Sequence, residues 1–460
     1  MIASNSGDRA PFAVRTFLLG LGAALVALSF TADALLGGEP GFGPLQAILL
    51  ALGIGVAALS LLPVRILANL ALVAAAIGFS FVVAEIGLRI VVGPRLAMIY
   101  RLDPRYLHTM IPGSSRIVTR LPANGGESNR VEVNSHGFRG TELLPAGTRP
   151  RVVVYGDSFI AGEYSSLEKT FVQQLGAKLG VALGTPVEAV NTGVVAYGLD
   201  QVSLRMEDEL GWLAPDLVVV SVFADNDFGD LIRNKLFTLA PDGALVASAF
   251  SIAPELESRF WLEGHSPYLY RALKKLLASL FVKPLAPVDQ IERDLEDSRR
   301  EWHEYVVEGD RVVRTRMLGH YDADVSLEPE SDSARFKVRL MEAVLGRIAA
   351  TAKEHHVPLL LMIVPSPVDA VDDYGLGQVD ERRHPAYRRT TLTDTVSTAA
   401  ARHGIPAVNL LKTFQARDAS TLYFQTGDNH WNDAGQELAA QTVADVVVAQ
   451  RLIHAKSHAE

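Results

Sequence analysis

Val152-Val153-Val154-Tyr155-Gly156-Asp157-Ser158-Phe159 decides how the chain is read. A β-branched run that stops at a glycine reads as a buried strand of a parallel sheet. Glycine permits a sharp bend there, and the turn then presents Ser158 at the carboxyl end of the strand, where open α/β sheets collect their ligands. Ser158 is therefore a candidate nucleophile.

A serine hydroxyl is inert at neutral pH unless a base removes its proton. The far end of the chain offers one in Gly427-Asp428-Asn429-His430-Trp431-Asn432-Asp433-Ala434-Gly435. Asp428 and His430 are two apart, so in an extended segment both side chains share a face and the carboxylate orients the imidazole. The chain order of the candidate catalytic residues is Ser158, Asp428, His430.

These blocks resemble the GDSL/SGNH hydrolase family. The resemblance implies a three-layer α/β/α, flavodoxin-like fold with a mostly parallel sheet. It also implies a Ser-His-Asp triad and an oxyanion hole made by the serine N–H, a second backbone N–H and an asparagine amide. The asparagine corresponds to Asn226 in Phe223-Ala224-Asp225-Asn226-Asp227, and the second donor falls in Asn191-Thr192-Gly193-Val194-Val195-Ala196-Tyr197-Gly198. Ala196 stands where the family has a glycine, so either Ala196 donates its N–H without needing positive φ, or Gly193 or Gly198 donates instead. Asp157 and the pair Asp225 and Asp227 read as residues that hold or solvate their loops. The tight Asp-x-His-Trp spacing is similar to that of bacterial proteins that O-acetylate exopolysaccharides such as alginate, which implies an acylated carbohydrate as the ester substrate. The resemblance runs from about Asn134 to the C-terminus.

The 460 residues contain no Cys, 43 basic and 52 acidic side chains, a net charge of −9. That composition excludes a disulfide scaffold and gives no footprint for nucleic acid. Mean hydropathy is +0.18, high for a soluble enzyme. The excess sits in segments 17–36, 45–62 and 66–92, each close to the ~20 residues that cross a bilayer as a helix. Residues 1–98 thus read as a transmembrane anchor of about three helices, with the lipid bilayer as partner. An alternative for the first segment is a signal peptide with Ala32-Asp33-Ala34 as its cleavage site. Arg9, Arg15 and Arg65 against Asp33 and Glu39 put the amino terminus in the cytoplasm, and an odd number of spans places the remainder outside, in the periplasm. Arg89, Arg95, Arg101 and Arg105 count against that orientation. Glu85 and Arg89, at i and i+4, read as an interfacial ion pair with a snorkelling arginine, or else as an intramembrane functional pair.

Residues 99–150 read as a polar connector, with turn signals at Pro112-Gly113 and Asn124-Gly125-Gly126. Within it, His136 either faces the site or belongs to a loop at the sheet edge. From residue 151 onward, strands expected at 187–190, 217–222, 358–364 and 406–410 alternate with helices at 167–179, 200–213, 333–355 and 386–403, the pattern of βαβ units. A last helix at 434–452 is capped by Asn432 or Asp433. The rhythm breaks at about 233–327, an insertion expected to cap the site and to carry selectivity through Trp261, Tyr268, Tyr270 and Trp302, or else to form a small satellite core. Neither HExxH nor a paired-Cys spacing occurs, and His355-His356 diverge on a helix, so neither metal nor cofactor is expected.

Overall fold

The computed structural model describes residues 9–36, 43–281, 286–315, 319–424 and 426–453. It divides into two compact units, residues 1–90 and 91–460.

The first unit holds apolar helices α1 (Arg9–Leu36), α2 (Pro44–Leu59) and most of α3 (Val64–Val91). Helices α1 and α2 cross where Gly22 meets Gly53: a Cβ on either glycine would stand 2.7–2.8 Å from the carbonyl oxygen of the other. Small residues at a crossing let two backbones approach closely, the usual device of helix pairs in lipid. Two segments, Phe12–Thr31 and Val64–Val91, are long and apolar enough to cross a membrane, whereas α2 is shorter, at 16 residues. Glu85 and Arg89 form the expected ion pair at 2.8 Å.

The second unit is built on a five-stranded parallel sheet of β1 (Arg151–Tyr155), β2 (Glu188–Asn191), β3 (Leu217–Ala224), β4 (Leu359–Pro365) and β5 (Ala407–Asn409). The spatial order is β2-β1-β3-β4-β5, the flavodoxin-like order, with its switch point between β1 and β3. Alternation along the strands feeds two cores. Val152, Val154, Val219, Leu360 and Met362 face one side, with the helices Phe171–Leu183 and Asp433–Ala449. Val153, Tyr155, Val218, Val220 and Leu361 face the other, with Leu199–Leu213, Asp332–Glu354 and Thr391–Arg402. Both faces are covered, which is why these strands read as unbroken apolar runs.

Two helices start later than periodicity predicts. The helix expected from 167 begins at Phe171, because the Thr170 hydroxyl accepts from the Gln173 N–H and residues 167–169 form a separate tight turn. The helix expected from 386 begins at Thr391. The last helix starts at Asp433, capped by Asn432, and packs beside Phe171–Leu183 over the core that Val152 and Val154 of β1 share.

The connector expectation for 99–150 is corrected. This segment folds into two antiparallel pairs, Tyr100–Asp103 with Leu107–Met110 and Ser115–Thr119 with Ser128–Glu132. Ile99, Leu107, Met110, Val131, Val133 and Phe138 are buried in the core, and along Ser128–Glu132 buried positions alternate with exposed ones. The insertion is likewise more than a satellite: Ile291, Leu295, Ala323 and Val325 join the same core.

Candidate active site

β1 ends at Tyr155, and Gly156 follows with a backbone that does not need positive φ. Its lack of a side chain matters for close approach instead: a Cβ there would lie 2.6 Å from Ile160 Cγ1 and 2.9 Å from Ser221 Cβ. Asp157 caps the short helix Ser158–Ala161 by accepting from the Phe159 N–H at 2.9 Å, the structural role expected of it. Ser158 is the first residue of that turn, so its N–H has no partner within the helix.

The Ser158 Oγ lies 2.7 Å from His430 Nε2, and His430 Nδ1 lies 2.6 Å from Asp428 Oδ1. A carboxylate only accepts, so Nδ1 carries the proton and Nε2 is left to accept from the serine hydroxyl. The Asp428 carboxylate also takes the His430 backbone N–H at 2.9 Å and the Tyr164 phenol. Burial raises the Asp428 carboxyl, but these bonds and the His430 charge outweigh it and hold the group below its ordinary range. Burial opposes charge on His430 as well. The bond and charge of Asp428, backed by Asp157 and Glu163, prevail and lift its pKa above the usual 6.5. Phe159 stacks on the imidazole with ring centres 4.7 Å apart, and Tyr164 meets it edge-on at 5.8 Å. Burial pushes Asp157 up to about 6, against the His430 charge and the Phe159 N–H.

The second loop lies against this turn. Gly193 is packed so tightly that a Cβ would fall 2.4 Å from the Ala161 nitrogen, and the Val194 N–H donates to the Gly156 carbonyl at 3.1 Å. The N–H groups of Gly193 and Gly198 are already engaged by Asn191 Oδ1 and Gln201 Oε1, at 3.0 and 2.9 Å. Ala196 is the one of the three with positive φ, at +61°, so the expectation that alanine would serve there without left-handed backbone is corrected.

Asn226 precedes the helix Asp227–Asn234, and its carbonyl accepts from Arg233 Nη2 at 2.9 Å. Its amide reaches toward Gly319, where a Cβ would stand 2.6 Å from Nδ2, and its Oδ1 is buried without a partner among the described residues. Asp225 and Asp227 hold the loop rather than solvating it: Asp225 accepts from the Ser366 hydroxyl at 2.5 Å and Asp227 from the Phe223 N–H at 2.8 Å. Burial raises both, Asp225 to about 7.

A cavity of about 430 Å³ opens beside the dyad, lined by Asp428, Asn429 and His430 together with Tyr374, Gln290, Ile291, Asp294, Gly319 and His320. The insertion does cap the site, but not with the expected aromatics. Trp302 packs on Phe336, and Trp261, Tyr268 and Tyr270 sit on the helices Pro254–His265 and Tyr268–Phe281, away from this lining. His136 is exposed and stacks on Trp212, so it belongs to the loop reading. The residue of its segment that matters is Arg139, buried and donating to the carbonyls of Ala161 and Ser165 at 2.5 and 2.6 Å. Sequence reasoning missed Arg139, Tyr164 and Tyr374, the last donating to the Asp428 carbonyl at 3.2 Å. None carries a local pattern.

Residues 321–460 match the family model described as SGNH hydrolase-like domain, acetyltransferase AlgX. The chain resembles the SGNH hydrolases. The matched stretch contains Asp428 and His430, while Ser158 and Asn226 lie outside it. No curated protein matches. Solved structures similar to the chain include the acetyl xylan esterase AlAXEase, 13% identical, over 65% of this chain and 99% of that one, with TM-score 0.33. The lipase/acylhydrolase from Enterococcus faecalis is 13% identical, over 65% of this chain and 96% of that one, with TM-score 0.33. A catalytic mutant of Axe2, an acetylxylan esterase from Geobacillus stearothermophilus, is 11% identical, over 66% and 95%, with TM-score 0.33. At these TM-scores the likeness carries no argument about chemistry. The SGNH reading rests on the motif blocks, the strand order and the match over 321–460.

Proposed function

We propose that the protein is a membrane-anchored, SGNH-type serine esterase that removes or transfers an acyl group, acetyl above all, on a cell-envelope carbohydrate. The observation that carries this reading is the unbroken chain from Ser158 Oγ through His430 to Asp428, at 2.7 and 2.6 Å.

In this mechanism His430 takes the hydroxyl proton as Oγ bonds to the ester carbonyl carbon. Charge develops on the carbonyl oxygen, where the N–H groups of Ser158 and Ala196 and the Asn226 amide meet it. Each such donor is worth about 3 kcal/mol in the transition state. Collapse expels the alkoxide, which leaves with the proton from His430. Water or a sugar hydroxyl then gives its proton to His430 and attacks the acyl-enzyme carbon, releasing Ser158. Asp428 holds the ring and stabilises the imidazolium throughout.

Transfer to a sugar is favoured as the second reading by the match over 321–460, whose description names an acetyltransferase. Gln290, Asp294 and His320 around the cavity are polar groups suited to sugar hydroxyls. For the anchor, α2 at 16 residues is about 24 Å long against a hydrocarbon layer of about 30 Å. The apolar chain continues through Leu61 and Leu62, and modest thinning accommodates the difference. With three crossings and a cytoplasmic amino terminus, Ser158 faces the periplasm.

Full-length protein given 4-nitrophenyl acetate, with and without an unacetylated oligosaccharide, tests the chemistry. Release of free acetate means hydrolysis, and acceptor-dependent acetylation of the sugar means transfer. No nitrophenol under either condition leaves only a non-catalytic polysaccharide-binding component and sinks the enzyme reading. The same assay on intact spheroplasts with an acetylated polysaccharide reports the side, since turnover requires an outward-facing site.

A further inference from the structure

The helices Pro254–His265 and Tyr268–Phe281 form a hairpin whose surface is unlike the rest of the second unit. Trp261 is 61% exposed, Leu262 51% and Tyr270 56%, with Leu273 and Leu277 also open. Positions 270, 273 and 277 recur at helical spacing, so they form one stripe rather than scattered apolar residues. Arg259, Arg271 and Lys274, with Glu255 and Glu263 among them, flank it along a cleft of about 710 Å³, so bases outnumber acids there. An apolar stripe edged by aromatic rings and basic side chains is the make-up of helices that lie in a membrane interface, and a face this apolar is seldom left bare in water.

The position of the hairpin in the chain says what covers it. A Cβ on Gly93 would lie 3.6 Å from Tyr268 Cε1, so the hairpin's second helix begins in contact with Gly93. Gly93 comes two residues after the end of α3 at Val91. Whatever the orientation of the two units, the covalent chain holds that contact within about 7 Å of the end of α3. At 1.5 Å per residue the 28 residues of α3 span about 42 Å, the thickness of a bilayer of about 40–45 Å counted with both of its headgroup layers. Val91 to Gly93 then fall at headgroup depth, where Trp and Tyr concentrate and Arg and Lys meet anionic lipid.

We propose that the hairpin 254–281 lies in the headgroup layer of the bilayer crossed by α3, with Trp261, Leu262 and Leu273 inserted and Arg259, Arg271 and Lys274 on anionic lipid headgroups. The proposal rests on the anchoring reading above. Docking of this kind gives the second unit a second attachment besides α3 and so fixes its orientation on the membrane surface.

The chain has no Cys, so single cysteines report single positions. Leu262→Cys, Leu273→Cys, Ile77→Cys in α3 and Val448→Cys on the last helix are each labelled with nitrobenzoxadiazole. The full-length variants are reconstituted in vesicles of phosphatidylcholine and phosphatidylglycerol carrying nitroxide-labelled lipid. The labels at 262 and 273 are expected to lose most of their fluorescence to a nitroxide near the headgroups, that at 77 to one deep in the acyl chains, and that at 448 to neither. Labels at 262 and 273 quenched no more than at 448 overturn the proposal, even if 77 is quenched and the anchor stands. Blue-shifted but unquenched labels, the mark of a protein partner or second copy on this face, overturn it as well. Loss of quenching at 77 overturns the anchoring reading and this proposal with it, whatever the labels at 262 and 273 show.

Discussion

Two clefts of the second unit differ in a way that separates space from chemistry. The larger, about 710 Å³, lies along the helices Pro254–His265 and Tyr268–Phe281, and among the described residues neither of its serine hydroxyls, Ser258 and Ser266, is held against a base. The smaller, about 430 Å³, lies beside residues where β-strands end, and its Asp428 and His430 already have their hydrogen bonds made. Groups whose positions are fixed before substrate arrives accelerate reactions, whereas volume alone only admits a ligand. The larger cleft is accordingly read as an attachment surface and the smaller as the reactive centre.

The sharpest break of this comparison comes from the residues at the smaller cleft. Ser158→Ala and His430→Ala are each expected to lower kcat by about 10⁶-fold, to a shared floor, because a nucleophile and its base act as a unit. Retention of a tenth of the wild-type rate by either variant, measured on an acetyl ester, returns both clefts to equal standing.

Asp428→Asn is expected to cost about 10⁴-fold, less than loss of serine or histidine, since it removes orientation rather than proton transfer. It also carries a signed pH shift. In the proposed mechanism His430 works as neutral imidazole, so turnover is expected to rise as pH climbs through its pKa, which in the native protein lies above the usual 6.5. Without the Asp428 charge the burial that opposes the imidazolium gains weight, and the rising limb moves to lower pH. A limb that stays in place in the kcat profile separates Asp428 from His430.

Asn226→Ala sharpens the comparison with the smallest effect, about 10²-fold in kcat with KM little changed, because its amide meets charge that exists only near the transition state. A change confined to KM instead makes Asn226 a substrate-binding group.

Legibility in the sequence followed the range of the forces. β1, β3 and β4 were legible as apolar runs because both of their faces are buried, and the turn at Gly156 followed from a glycine at a strand end, although the reason proved to be the approach of Ile160 and Ser221 rather than a bend. The pairs within 99–150 were obscured because Pro112, Gly113 and Asn124 to Gly126 read as loop, while the alternation of Asn129, Val131 and Val133 is short and mixed in polarity. Trp261, Tyr268, Tyr270 and Trp302 lie away from the smaller cleft, because composition says that a ring will be useful and not where it points.

The sequence by itself determined the α/β class, the switch-point location of Ser158 and the pairing of Asp428 with His430, since these depend on spacing within a few residues and on periods of two and about four. Tertiary structure alone decided that His430 meets a serine 272 residues away, that Tyr164 and Arg139 brace the two ends of the site, and that Ala196 adopts φ +61°. That backbone costs an alanine about 1 kcal/mol, which no local preference favours. It is sustained by the packing of Gly193 on Ala161 and by the bond from Val194 to Gly156, contacts that exist only after the strands have paired.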